Sequence, residues 1–347
     1  MRHQPGRIPA MSDVAKLAGV SLQTVSRVIN GHRSVSPATR MRVQSAMREL
    51  GYRPNRAARA LASGRSDLIG VIAEPSTSFG PSSTLRALED AAAASGMRLS
   101  VTSVPSMDRD TVDRAIERHL EQRVRGIVVV ALVVTISEAI HAFDPGVPVV
   151  IIGRDQGLGI ANVGIDHEHG ARLAVNLLLD AGHRTVWHVS GLRDAYDSED
   201  RIVGWRDALL AADADVPPVV AGDWSARGGY EAGLLLARMP EVTAIFASND
   251  QSALGILRAL HEHGRAVPTD VSVVGFDDID EAAYYIPPLT TIRQDFALIG
   301  RRAMASLLAL FDGEPPSHEL LAPELVLRQS VAPPPGLDAA TAEKVAQ

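Results

Sequence analysis

Apolar positions in the first fifty residues recur at helical spacing. Val14, Ala15 and Ala18 share one face of a segment opening at Met11, and Gly19 breaks it. Ser21 is a good N-cap for a second segment in which Val25, Val28 and Ile29 face inward, leaving Leu22, Gln23, Ser26 and Arg27 outward near its N-terminal end. Ser36 followed by Pro37 opens a third helix, Val43, Ala46, Met47 and Leu50 recur at i, i+3, i+4 and i+7, and Gly51 stops it. Three short helices with a tight turn after the first predict a helix-turn-helix head. Its second helix presents side chains suited to base edges: Gln pairs with adenine, Arg with guanine, and Leu22 can meet a thymine methyl.

From Asp67 the period changes. Short β-rich runs alternate with amphipathic helical stretches, with strands expected over 68–73, 99–104, 126–130, 147–152, 185–189, 219–221, 244–247 and 271–275. Most of these runs are apolar on both faces, as strands of a parallel sheet covered by helices must be. About 265 residues of this pattern fit two doubly wound subdomains with a ligand cleft at the carboxyl ends of the strands.

Charge separates the two regions further. The 347 residues carry a formal net charge of −7, but residues 1–60 hold eleven Lys or Arg against only Asp13 and Glu49, so the remainder stands at −16. A basic head on an acidic body implies that only the head meets a polyanion. The absence of cysteine removes disulfides, thiolate metal sites and a cysteine nucleophile. The N-terminus lacks the apolar core of a signal peptide and no apolar run reaches membrane-spanning length, so a cytoplasmic, nucleoid-associated protein is expected. No cofactor is expected. His and Glu alternating in 166–169 and 261–263 would not share a helix face, which argues against a metal site; 157–162 lacks the spacing of a dinucleotide fingerprint. Asp277 and Asp278, as sequence neighbours, point apart and do not make a glycosidase pair.

The run 13–30, Asp-Val-Ala-Lys-Leu-Ala-Gly-Val-Ser-Leu-Gln-Thr-Val-Ser-Arg-Val-Ile-Asn, closely resembles the head of lac-repressor-type (LacI/GalR family) transcription regulators. So do Gly222-Asp223-Trp224-Ser225, Ala247-Ser248-Asn249-Asp250-Gln251, 272–278 and 285–292 in the body. The likeness runs from about Met11 to Val331. It implies a helix-turn-helix head over 1–53, a hinge helix or linker over 54–66, and a sugar-binding and dimerisation core over 67–331. That core would have the α/β fold of periplasmic (type I) binding proteins, with subdomains at about 67–165 with 294–323 and 166–293 with 324–331. A flexible tail, 332–347, has no leucine heptads, so a homodimer is expected rather than a tetramer. In the family the hinge becomes helical on operator DNA and drives a Leu into the minor groove, which assigns that wedge to Leu61, with Asn30, Asn55 and Arg56 as further DNA contacts beside Leu22, Gln23, Ser26 and Arg27.

The resemblance also places an effector site. A sugar needs planar polar groups for adjacent hydroxyls, which Arg201, Asn249 and Asp277 can supply, and an apolar face for its C–H side, which Trp224 and Phe296 can supply. Gln294 would support them, Ser78 and Pro81 would line the opposite wall, and Asp197 stands where the family pattern has Ser. Gly153 replaces Asp, Ile165 replaces Phe, and in the head Leu22 replaces Tyr, so the pocket is reshaped on one wall and the operator preference altered. The same residues admit plainer roles: Asn249-Asp250 as a helix cap, Arg201 as a surface ion pair, Trp224 as core. The expected function is a sugar-responsive regulator, a repressor in the first instance, released by a glycoside, with galactosides first. A sugar-binding or transport protein and a sugar-active enzyme are the alternatives.

Overall fold

A computed structural model describes residues 9–29, 32, 34–52, 66–76, 78–130, 145–154, 157 and 159–336. The chain divides into two units at Ser66/Asp67. The first contains helices α1 (Met11–Ala18), α2 (Leu22–Ile29) and α3 (Pro37–Leu50). Local chemistry sets their ends. Ser21 Oγ accepts from the Thr24 amide at 3.2 Å, Ser36 Oγ accepts from the Thr39 amide at 3.3 Å, and Gly19 and Gly51 close α1 and α3 in the left-handed region at φ 63° and 62°. Val14, Ala15, Ala18, Val25, Val28, Val43, Ala46 and Tyr52 form one small core. Asn30, Asn55, Arg56, Leu61 and the rest of the expected hinge up to Arg65 lie outside the described residues.

The second unit holds two sheets. The first has six parallel strands in the order β10-β5-β4-β3-β1-β2, where β1 is Leu68–Ala73, β2 Arg98–Ser103, β3 Gly126–Val130, β4 Val149–Ile152, β5 Ala161–Ile165 and β10 His318–Leu321. The second runs β11-β9-β8-β7-β6, where β6 is Trp187–Val189, β7 Ala244–Ala247, β8 Ser272–Asp277, β9 Thr290–Arg293 and β11 Glu324–Val326, the last antiparallel to β9. Val128 and Val130 on β3 point to one face, with α4 (Phe79–Ala94) and α10 (Phe296–Phe311); Ile127 and Val129 point to the other, with α5 (Arg109–Glu121). The second sheet is likewise covered by α6 (His167–Asp180) and α7 (Tyr196–Ala211) on one side and α8 (Ala226–Leu236) and α9 (Asp250–Glu262) on the other. The chain passes between the sheets three times: after β5, after β9 and after β10.

Several strand expectations need correction. Residues 219–221 form an isolated bridge, Val189 to Val220, rather than a strand of the sheet, and the strands expected from 147 and 185 begin at Val149 and Trp187. Four strands were not anticipated, β5, β9, β10 and β11. They are short and rich in polar or small residues, and are held by side-chain hydrogen bonds and by strands from elsewhere in the chain. In β5 the Asn162 side chain donates to the Gly153 carbonyl at 2.7 Å, and in β9 Thr291 donates to Asp250 at 2.6 Å. At the end of the body, Ala332, the first residue of the expected tail, is tied down: its carbonyl accepts from Ser272 at 2.9 Å and lies 3.0 Å from His183 Nε2.

Candidate effector cleft

The cleft lies where strands of both sheets end. Val130, Ile152 with Gly153, and Ile165 come from the carboxyl ends of β3, β4 and β5; Asn249 follows β7, Asp277 ends β8, and Gln294 follows β9. Its volume is about 700 Å³, counting the solvent at its mouth. All nine side chains expected at an effector site, Ser78, Pro81, Asp197, Arg201, Trp224, Asn249, Asp277, Gln294 and Phe296, lie on its wall. The two subdomains bring different chemistry. The six-stranded side contributes Phe79, Pro81, Ile152, Ile165 and Phe296, with Phe79 edge-on to Phe296 at 5.6 Å; the five-stranded side contributes His167, Asp197, Arg201, Trp224, Asn249 and Asp277.

Arg201 is buried, not a surface ion pair. One Nη donates to the Ser248 carbonyl; Nε and the other Nη lie 3.4 Å from His167 Nδ1, and the guanidinium sits 3.8 Å over the Phe276 ring. A guanidinium only donates, so His167 Nδ1 must accept, and the imidazole proton sits on Nε2, 3.2 Å from Asp197 Oδ1. Sequence reasoning missed His167. Its signal was the 166–169 run, read only as a failed metal motif.

Asp277 is held 3.9 Å from Arg201 and accepts from Gln294 Nε2 at 2.6 Å. Burial pushes its carboxyl up to about 6, against the opposing pull of Arg201 and Gln294. Its backbone is at φ 108° and that of Asp278 at 56°, both in the left-handed region that favours glycine. What holds this turn is Asp278, which accepts from Arg293 and Arg328, each at 2.6 Å. Burial would also raise Asp197, but His167 and Arg201 outweigh it and hold that carboxyl below its ordinary value.

Asn249 both lines the cleft and caps α9. Its Oδ1 accepts from the Ser252 amide at 2.9 Å, and its NH2 donates to the Trp224 carbonyl at 3.0 Å and to Gln251 at 2.8 Å. A ligand hydroxyl therefore meets the second lone pair of Oδ1, or displaces Gln251. Trp224 sits at φ 66°, and its buried indole N–H has no partner among the described residues. The ring lies against Gly191, where a Cβ would come within 1.9 Å of Nε1.

In the head, Leu22, Gln23 and Arg27 are exposed and Ser26 is half-buried, on the face of α2 opposite Val25 and Val28.

Comparison with known proteins matches both parts. The model for bacterial regulatory proteins of the lacI family matches residues 10–55, and that for periplasmic binding protein-like domains matches 175–331. The lactose operon repressor of Escherichia coli (strain K12) is 36% identical over 325 residues, 93% of this chain and 90% of that protein. The HTH-type transcriptional regulator CelR of Thermobifida fusca is 36% identical over 343 residues, 93% of this chain and 98% of that protein. Among solved structures, the lac repressor dimer bound to operator and the anti-inducer ONPF superimposes with a TM-score of 0.86 at 36% identity, covering 94% of this chain and all of that one. A CelR–cellobiose complex gives 0.69 at 33% identity, covering 93% and 99%. These relatives are regulators of transcription, not enzymes, and their likeness extends over nearly the whole of both chains. The protein belongs to the lacI family of bacterial regulatory proteins.

Proposed function

We propose that the protein is a sugar-responsive transcriptional repressor that binds a near-palindromic operator as a dimer. The head would read DNA through Leu22, Gln23, Ser26, Arg27 and Asn30, with Asn55, Arg56 and Leu61 acting from the hinge. The observation that carries the effector reading is the two-faced cleft: Arg201, Asn249 and Asp277 oppose Phe79, Pro81 and Phe296, a polar wall for hydroxyls facing an apolar wall for the C–H face or an aglycone. A glycoside fits this division, with galactosides first and β-glucosides next, since one similar structure holds cellobiose. Because each wall belongs to a different subdomain, a sugar that favours one arrangement of the two would shift the population between DNA-binding states by its differential affinity for them.

Selection of bound duplexes from a random pool, repeated with a panel of glycosides, tests operator and effector together. Arg201→Ala, with Arg201→Met to keep the volume of the stem, should leave operator affinity within about twofold while removing the sugar response, on the reasoning that truncating a buried charged partner costs roughly 2–5 kcal/mol of binding. A sugar response equal to that of the unmodified protein would remove Arg201 from the site. Turnover of any glycoside would point instead to a sugar-active enzyme.

A further inference from the structure

We propose that the cleft selects uncharged sugars against their anionic counterparts, uronates and sugar phosphates, and that Asp197 sets this choice. The inference rests on the reading of the cleft as a sugar site and adds the chemical class of sugar.

Among the described residues lining the cleft, Arg201 is the one Lys or Arg. Its charge is already engaged by the Ser248 carbonyl, by His167 Nδ1, by Asp277 at 3.9 Å and by the Phe276 ring. Arg154, next in the chain to the cleft-lining Gly153, is turned onto Asp200 at 3.1 Å and Glu199 at 4.0 Å. His167 is engaged on both ring nitrogens, Nδ1 by the Arg201 guanidinium and Nε2 by Asp197 Oδ1. The cleft wall thus offers two carboxylates, Asp197 and Asp277, and one guanidinium whose field they and their neighbours already match.

A sugar hydroxyl can donate to such a carboxylate. The carboxylate of a uronate or the dianion of a sugar phosphate cannot, and would enter a partly desolvated site against like charge with no cation free to receive it among the described residues. Asp277 is bound up with Arg201 and Gln294. Among the described residues Asp197 engages His167 through Oδ1 and keeps Oδ2 as an acceptor, on a side chain that remains 24% exposed at the cleft.

The test uses the full-length protein at pH 7.5 and fixed ionic strength, with calorimetry and thermal shift on methyl glucoside, galactoside and mannoside, the corresponding uronates and the corresponding 6-phosphates. The expected result is that the best uncharged ligand binds roughly 30-fold or more tighter than either anion of the same ring. In Asp197→Asn, which keeps an acceptor for His167, and in Asp197→Ala, which does not, this gap should shrink by about tenfold, equivalent to about 1.4 kcal/mol, mainly through improved binding of the anions. Two variants guard against a folding defect in one. An anion that binds the unmodified protein as well as the uncharged sugar overturns the proposal while leaving the sugar reading standing. So does a gap unchanged in both variants. If no sugar of any charge binds, the sugar reading itself fails and the proposal with it.

Discussion

A carboxylate that must face a cleft from the end of a β-strand has to leave the strand's alternation, and Asp277 does so through a left-handed pair of residues that only a strong local restraint can hold. Asp278 supplies the restraint through Arg293 and Arg328, with only 7% of its side chain exposed. Asp278→Ala should therefore act on the site without touching it. Stability to urea should fall by about 1–3 kcal/mol, the range for losing charged hydrogen bonds, and effector affinity by about tenfold as Asp277 loses its aim. Retained affinity in a destabilised variant would show that Gln294 and Arg201 suffice to hold Asp277. Gly191 makes a similar point by omission: Gly191→Ala would push the Trp224 ring out of place, and the expected loss is in effector affinity, read by quenching of tryptophan fluorescence on sugar addition.

Helices α8 and α9 pack backbone to backbone. A Cβ on Gly229 would come within 2.1 Å of the Ser252 carbonyl, and one on Gly255 within 2.0 Å of that of Ala226. Since α9 starts at the Asn249 cap, Gly229→Ala should shift the start of the helix and its cap together. It should lower the melting temperature by several degrees, on the basis of about 1–3 kcal/mol for overpacking, and weaken effector binding in parallel. Elements of this kind also show what sequence reveals. The head helices were readable because Ser36, Pro37 and Gly51 act on their own helix, and the central strands because both faces are apolar. The short strands β5, β9, β10 and β11 were not, since β9 is secured by Asp250 and the segment around Arg328, far away in sequence. His167 escaped for the same reason. Its role exists only because Arg201 and Asp197 reach it from α7, whereas the nine expected cleft residues were found through likeness to a family that carries the geometry with it.

At the scale of the whole body, buried histidines and buried carboxylates pull the response to acid in opposite directions. His188 has no exposed surface, stacks 4.7 Å from Phe246 and lies 3.0 Å from that residue's carbonyl through Nδ1; burial holds it down to about 4 from an ordinary 6.5. Between those values the unfolded chain binds a proton that the folded one refuses, so the stability this histidine contributes is complete above pH 6.5 and is lost as pH falls toward 4. The shift is equivalent to up to about 3 kcal/mol. His183 and His119, also lowered by burial, act in the same sense, whereas Asp250 and Asp277, both raised by burial, act in the opposite one. The comparison that isolates His188 is between the unmodified protein and His188→Phe. Their difference in unfolding free energy, measured at pH 7 and again at pH 4.5, should change by a few kcal/mol, with the unmodified protein losing more.

The three passages between the sheets bear on synthesis. A ribosome delivers the chain from one end, yet the six-stranded sheet lacks its edge strand β10 until residue 321 has emerged, and the core beneath it lacks Ile299, Ala303, Met304 and Leu307 from α10. The five-stranded sheet waits for β11, which ends at Val326. Neither half of the body can be completed before almost all of it has been made, while the head is finished within the first few dozen residues. A nascent chain would thus display a folded DNA reader well before any part that answers to a ligand exists, with the unfinished body exposing apolar core residues over most of its translation.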